Sequence, residues 1–588
     1  MTLLNQQVTS FVFTAASCVR DFACKPILFL HFFLRNLQNL CCSIHIFQHK
    51  LIRHRFKGHH TFQCYAFCLS SGINTPENSS ICSCISGANG IVGENLATDE
   101  AKTSRELAKW ICATDVSLRI IEDPGFLDLV HTLNPFVKLG IVKMLKAECL
   151  KIFKEERVKI KQVLADLDGQ IGLSVDVLKT PACYEYLCVT AHFIDDGWEV
   201  KKWVLSLCHV WEEEDDVSKV LLKCLSDWNI ETKISMITMK NGSDSENDAT
   251  VKILKDLVQE KKKLQLNGQL FHVYCCADIL SVIVQDSLAE IQEIIGEARD
   301  LVPCGRPTSF WYLTYHTLKE ASELYSMGEF LKDDYHGIEI PPTDVWNKVG
   351  GVVKLLGSLD SAAKSLFVTK YPTANNYLHN LQEIRASLKI LQEFDKYWND
   401  MFLLLALTTL LDPRFKKKYF EFTSLKYEDS DGKLQVTAVL DAIQTLYDEY
   451  ATTIDESEKS MSKSSASFEG GNGAGPCPKF KRVEEGCDSS KYGSRPKSEL
   501  DFYLEDPVIP WIEDFDIISW WRASSSKYPT LARVSRDLLA IPISVVTSYD
   551  AYLTTAREVD LGLLSSGCDI MGALMCTRSW KQSDSDKD

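Results

Sequence analysis

Gly172-Leu173-Ser174-Val175-Asp176 is the stretch from which the middle of this chain can be read. Ile171, Leu173 and Val175 alternate with small or polar residues, the period-2 pattern of a strand, and the alternation ends at Asp176. Upstream, Asp99 to Val163 has helical spacing. Leu107, Trp110 and Ile111 mark one segment, and Leu145, Cys149, Ile152 and Phe153 share a face of another. Asp123-Pro124-Gly125-Phe126 reads as the turn between them. Downstream, Tyr184–Ile194 and Lys201–Val210 read as two further strands. Their connections, at Thr180-Pro181 and Asp195-Asp196-Gly197, are short enough for an antiparallel meander. A helix over Asp215–Trp228, a strand over Lys233–Met239, a helix over Ala249–Lys262, a strand over Phe271–Cys275 and a helix over Ala277–Ala298 follow.

The resulting order, βββαβαβα, predicts an α/β core of the ribonuclease-H-like class. Leu313 to Leu446 is helical again, with apolar stripes over Val352–Leu356, Leu378–Leu391 and Met401–Leu411. Ser457 to Pro496 is rich in Ser, Gly and Lys and lacks apolar periodicity, as a linker does. The organisation expected is therefore a poorly ordered, basic, Cys-containing extension over 1–95, a helical region over 96–168 and the core over 169–300. An all-α insertion over 301–456, a disordered linker over 457–497 and a helical C-terminal region over 498–583 complete it.

A chain of 588 residues is too long for one core, and 45% hydrophobic with 24% charged residues is ordinary for a globular protein. The net charge of -16 excludes a surface broadly coated by nucleic acid and confines any such contact to patches. The first 60 residues differ, with a balance of +6. Their apolar run, Pro26–Leu34, is far short of the roughly 20 residues that span a bilayer, so no membrane partner is expected. It also fits a secretory signal poorly. The 21 cysteines are scattered, which suits a reduced compartment. Cys64 and Cys68 have a metal-like spacing, but no His pair follows them, so zinc is not expected.

The C-terminal region carries more specific signals. Trp520 and Trp521 are followed by Lys527-Tyr528-Pro529-Thr530-Leu531 and then by Ile541-Pro542-Ile543-Ser544-Val545-Val546-Thr547-Ser548-Tyr549-Asp550-Ala551-Tyr552. With Asp123-Pro124-Gly125-Phe126, Leu133-Asn134-Pro135, Phe394-Asp395-Lys396-Tyr397-Trp398 and Leu411-Asp412-Pro413-Arg414-Phe415-Lys416, these motifs run in order from about Ala101 to Lys581. Phe271-His272-Val273-Tyr274-Cys275-Cys276-Ala277-Asp278-Ile279-Leu280 belongs to the same set. The ensemble resembles the hAT superfamily of DNA transposases, in particular plant hAT-derived proteins of the Daysleeper and Ricesleeper type. The segment before residue 95 does not resemble the BED zinc finger that these relatives carry.

The resemblance implies a DDE-type site, in which three carboxylates hold two divalent ions about 3.5–4 Å apart. Asp176 matches the first acid. Lys240 stands where the second belongs, within Ile237-Thr238-Met239-Lys240-Asn241-Gly242-Ser243, and Tyr549 stands where the glutamate belongs. Asp278 replaces a family histidine, and the family's arginine before Trp311 is Phe310. An ammonium cannot ligate Mg²⁺ and repels it. The expectation is therefore a degenerate, catalytically inactive site with no cofactor, Mg²⁺ entering only if activity remains. The alternatives are an active transposase using a displaced acid (Asp244, Glu246, Asp248 or Asp550) and a decaying copy without selected function.

The same resemblance implies self-association. Trp520, Trp521, Tyr528, Pro529, Leu531, Leu538 and Ile541 are the expected dimerisation residues, on a surface that also packs against its own core. DNA is the second expected partner, with Trp311, Lys416, Lys417 and Lys418 as candidate contacts and Lys201-Lys202 and Lys261-Lys262-Lys263 as further ones. The nucleus is the expected compartment. Lys479-Phe480-Lys481-Arg482 is a weak import patch.

Overall fold

The computed structural model describes residues 100–135, 137–180, 184–210, 217–239, 246–289, 311–328, 340–367, 373–387, 392–426, 432–464, 497–512, 515–546 and 561–585. Three helices come first: α1 (Glu100–Ala113), α2 (Pro124–Leu133) and α3 (Val142–Asp166). The Asp123-Pro124 turn is the start of α2, where the Asp123 carboxylate accepts from Phe126 N at 2.8 Å and Pro124 occupies the first turn.

The core follows as β1 (Ile171–Lys179), β2 (Glu185–Ile194), β3 (Val200–Val210), α4 (Val217–Trp228), β4 (Ile234–Met239), α5 (Glu246–Lys261), β5 (His272–Tyr274) and α6 (Cys276–Ala289). The strands form one sheet in the order β3-β2-β1-β4-β5. β1–β2 and β2–β3 are antiparallel, whereas β1–β4 and β4–β5 are parallel. The element order and the antiparallel meander are those the sequence predicted, and the reason is local. Two short turns close the meander, and each helix is long enough to return the chain for a parallel pairing.

The remaining helices are α7 (Trp311–Ser326), α8 (Thr343–Phe367), α9 (Tyr377–Ser387), α10 (Gln392–Leu410), α11 (Lys416–Lys426), α12 (Gly432–Ser464), α13 (Glu499–Glu505), α14 (Ile517–Ser524), α15 (Pro529–Leu539), α16 (Leu561–Ser566) and α17 (Cys568–Ser585). α12 overrides the linker expected from Ser457, because it continues to Ser464. Apolar periodicity reports a buried face, and the Glu, Lys and Met residues there favour a helix without one.

Both faces of the sheet are covered. One face carries Leu173, Val175, Val189, Ala191, Phe193, Trp203 and Ile237, and packs on α4, α5 and the last helix through Leu221, Trp228, Leu254, Cys576 and Trp580. The other face carries Met236, Ile194 and Val273, and packs into a cluster shared with the insertion and with Leu538–Val546. The C-terminal region is thus built into the core. Trp580 Nε1 donates to Val204 O at 2.9 Å, and Arg578 Nη2 donates to Val116 O at 2.9 Å, clamping the sheet edge to the N-terminal helices. Gly172 has no side chain where Pro542 passes: a Cβ there would lie 3.1 Å from Pro542 Cδ. Thr238 Oγ1 donates to Pro542 O, and Cys276 N donates to Ile543 O at 2.9 Å.

Candidate metal-site face of the sheet

Strand alternation places Gly172, Ser174 and Asp176 on the face away from Leu173 and Val175. Across β2 they meet His192, Thr190 and Cys188 in register, and Lys202 of β3 lies opposite His192. Thr238 of β4 pairs with Ser174. Asp176 therefore shares its face of the sheet with three hydroxyls, a thiol, an imidazole and an ammonium.

The imidazole, the thiol and the ammonium are each shifted by burial. Ser174 Oγ and His192 Nε2 are 2.8 Å apart, and burial, reinforced by the charge of Lys202, holds the His192 imidazolium well below its usual range. Burial pushes the Cys188 thiol up to about 12. Burial also pulls Lys202 down to about 8, opposed in part by the Asp176 carboxylate. At neutral pH Lys202 still carries its proton, so a cation lies on the same face of the sheet as Asp176. Asp176 Oδ1 accepts from Val177 N at 3.0 Å.

Among the described residues no group of three His, Cys, Asp or Glu side chains converges to hold a metal ion. Lys240 and Tyr549, like Asp244 and Asp550, lie outside the described residues, as do the Glu246 side chain, the 1–95 extension and the Lys479–Arg482 patch. Asp248 is described and exposed. It reaches His272 Nδ1 at 3.8 Å rather than Asp176, and His272 registers with Ile237, whose side chain belongs to the opposite face. Lys202 is the residue that sequence reasoning misplaced, as a DNA contact. Its register opposite His192 could have been read from the meander.

The expected dimerisation residues are mostly interior. Trp521 is 0% exposed and donates Nε1–H to Leu411 O at 3.0 Å, and Tyr503 packs on its ring at 5.3 Å. Tyr528, Leu531, Leu538 and Ile541 are buried as well, with the Tyr528 hydroxyl on the Asp506 carboxylate. Trp520 is half-buried and Pro529 is exposed. Five of the seven therefore face their own core and cannot present themselves to a partner; periodicity reported burial without saying against what.

The nucleic-acid candidates divide in the same way. Trp311 is buried at the start of α7. Lys416 is 3% exposed, with Nζ donating to Tyr503 O at 2.7 Å and Asp506 O at 3.0 Å, so neither residue is available to DNA. Lys417 and Lys418 are exposed, and Lys417 lies 3.4 Å from Glu421. Lys201 is buried on Glu199 at 2.7 Å, Lys261 is held by Glu231 at 3.0 Å and Lys263 by Glu449 at 3.1 Å. Lys262 donates to Gln170. The Asp412-Pro413-Arg414 motif is structural too: buried Asp412 accepts from Arg414 Nη2 at 2.7 Å and from Asn375 at 2.8 Å.

A sheet of this order, followed by an all-helical insertion and returning helices that seal it, defines a ribonuclease-H-like core of the DDE-transposase type. Residues 174–270 match the ZBED1 RNase-like domain, residues 369–450 match the hAT-like transposase RNase-H fold, and residues 499–581 match the hAT family C-terminal dimerisation region. The second of these matches falls on α9–α12, in the helical part, rather than on the sheet. The chain is 29% identical to the zinc finger BED domain-containing protein RICESLEEPER 3 of Oryza sativa subsp. japonica over 547 residues, covering 83% of this chain and 71% of the relative. It is 27% identical to the DAYSLEEPER protein of Arabidopsis thaliana, covering 82% and 74%. With the putative AC transposase of Zea mays it shares 26% identity, covering 82% and 65%. The chain is thus similar along most of its length to plant zinc finger BED domain-containing proteins and to a putative transposase, and its C-terminal part matches the hAT family dimerisation region. Among the described residues no helix is long and apolar enough to cross a membrane.

Proposed function

We propose that this protein no longer carries out metal-dependent strand transfer and acts through self-association, with DNA as a second partner and the nucleus as its compartment. The observation that supports the loss of chemistry is the residue type at two positions that the resemblance matches to the acids, Lys240 and Tyr549. Self-association is supported by the match of residues 499–581 to the hAT dimerisation region. DNA binding rests on the kinship with a putative transposase and on exposed Lys417 and Lys418, so it should be weak and strongly salt-dependent.

The test is incubation of the full chain with hAT-type terminal inverted repeats and Mg²⁺ or Mn²⁺. No cleavage or strand transfer is expected. Cleavage that Asp176→Ala abolishes would overturn this function in favour of an active transposase using displaced acids.

A further inference from the structure

With Trp521 and its neighbours inside the core, the self-association surface must lie elsewhere. Among the described residues of 499–581, the large apolar side chains left in solvent are Phe502 (52% exposed), Trp511 (67%) and Ile512 (52%). A tryptophan left in water forgoes a large apolar burial, since such a ring buries on the order of 150–250 Å² when covered.

The segment bearing Trp511 and Ile512 is held from beneath. The Arg414 guanidinium lies 4.8 Å from the Trp511 ring centre, 4.7 Å from that of Phe515 and 5.2 Å from that of Phe415. Asp412 fixes this guanidinium by hydrogen bonds of 2.7 and 3.1 Å, and Arg414 Nη1 donates to Ile512 O at 3.3 Å. Ile509 N donates to Pro413 O at 3.1 Å. The motif at Asp412–Phe415 thus sets the position of the exposed pair, and little ordering entropy is left to lose on binding.

We propose that Trp511 and Ile512, presented by Arg414, are the anchor through which two copies of this chain associate. The proposal rests on the self-association reading above. The match of residues 499–581, which include Trp511 and Ile512, to the hAT family C-terminal dimerisation region favours a second copy as the occupant, and the mixed charge of α11, α13 and Lys527 disfavours nucleic acid. Lys497 pairs with Glu505 at 2.7 Å, Lys417 with Glu421 at 3.4 Å, and Lys527 with Asp506. Such a mixed-sign rim complements itself about a two-fold axis, whereas a phosphate backbone needs a cationic one.

Sedimentation velocity of the full chain over a concentration series, with Trp511→Ala and Ile512→Glu, tests this. The Ile512→Glu side chain points into solvent and leaves the Arg414 stack in place, so it serves even if Trp511→Ala disturbs that stack. Each variant is expected to raise the dimer Kd at least tenfold with an unchanged circular dichroism spectrum. A wild-type dimer matched within twofold by both variants would overturn the anchor and leave self-association standing. A wild-type chain that stays monomeric throughout would overturn both. Loss of single-stranded oligonucleotide binding in the variants, with an unchanged dimer Kd, would reassign the patch to nucleic acid.

Discussion

Lys416 Nζ donates to the main-chain oxygen of Tyr503 at 2.7 Å, while the same ammonium lies 4.3 Å from the centre of the Tyr503 ring. With a second bond to Asp506 O at 3.0 Å, it fastens the first residue of α11 to the far end of α13, across the residues that separate insertion from C-terminal region. A lysine that resembles a DNA contact is in fact a tertiary clasp. Lys416→Met leaves two carbonyl oxygens without their donor and should cost about 2 kcal/mol of stability. Filter binding of DNA by the folded variant should match wild type. A tenfold drop would restore Lys416 as a contact residue.

The same clasp sets a pH dependence. Burial pulls Lys416 down to about 8, partly offset by Asp506. In the unfolded chain its pKa is about 10.4. Between these values the unfolded chain binds more protons than the folded one, so the contribution of Lys416 rises with pH. The melting-temperature margin of wild type over Lys416→Met should therefore widen from pH 7 to pH 10. A margin that narrows over that window would mean the ammonium is not desolvated.

Trp521 and Trp511 should separate stability from assembly. Trp521→Ala opens a cavity between α13, α14 and α15 and strands the Leu411 carbonyl, a loss of roughly 3–5 kcal/mol. Trp511→Ala should leave the melting temperature nearly unchanged. Thermal denaturation of the two variants side by side checks this, and similar melting curves would contradict the burial difference.

Asp176 should no longer recruit metal. Millimolar Mg²⁺ should move the melting temperature of wild type by no more than about 1 °C, and Asp176→Asn should behave identically. A rise of several degrees in wild type that Asp176→Asn removes would show a working metal site. It would also require a ligand beyond the residues around Lys202.

Docking of the C-terminal region on the sheet can be probed at Thr238, which is 0% exposed and donates to Pro542 O. Thr238→Val keeps the shape and loses the donor, and should cost about 1–2 kcal/mol. Limited proteolysis should then cut faster within Ile541–Val546. Unchanged cutting would mean that this segment is held by packing alone.

Much of this was legible in the sequence because it is local. The alternation at Ile171–Asp176 and the short turns at Thr180-Pro181 and Asp195–Gly197 set the meander, and the helical spacing after it set the parallel pairings. The remnant acid Asp176 was found by its place at the end of that alternation and by the motif around it. The α12 extension was missed because a polar helix leaves no apolar stripe. Lys416 and Trp311 were misassigned because charge and aromaticity do not say which way a side chain turns.

The sequence by itself determined the order of elements and the class of the core, since each follows from spacing along the chain, while the positions matched to three acids come from the resemblance. Only the tertiary structure decided that Lys202 lies opposite His192 on the face that bears Asp176, that Trp521 lies inside while Trp511 lies outside, and that the C-terminal helices seal the sheet. These depend on which surfaces meet between segments hundreds of residues apart, as in the bond from Thr238 to Pro542. Periodicity encodes that a face is buried, and the partner that buries it is fixed only by packing.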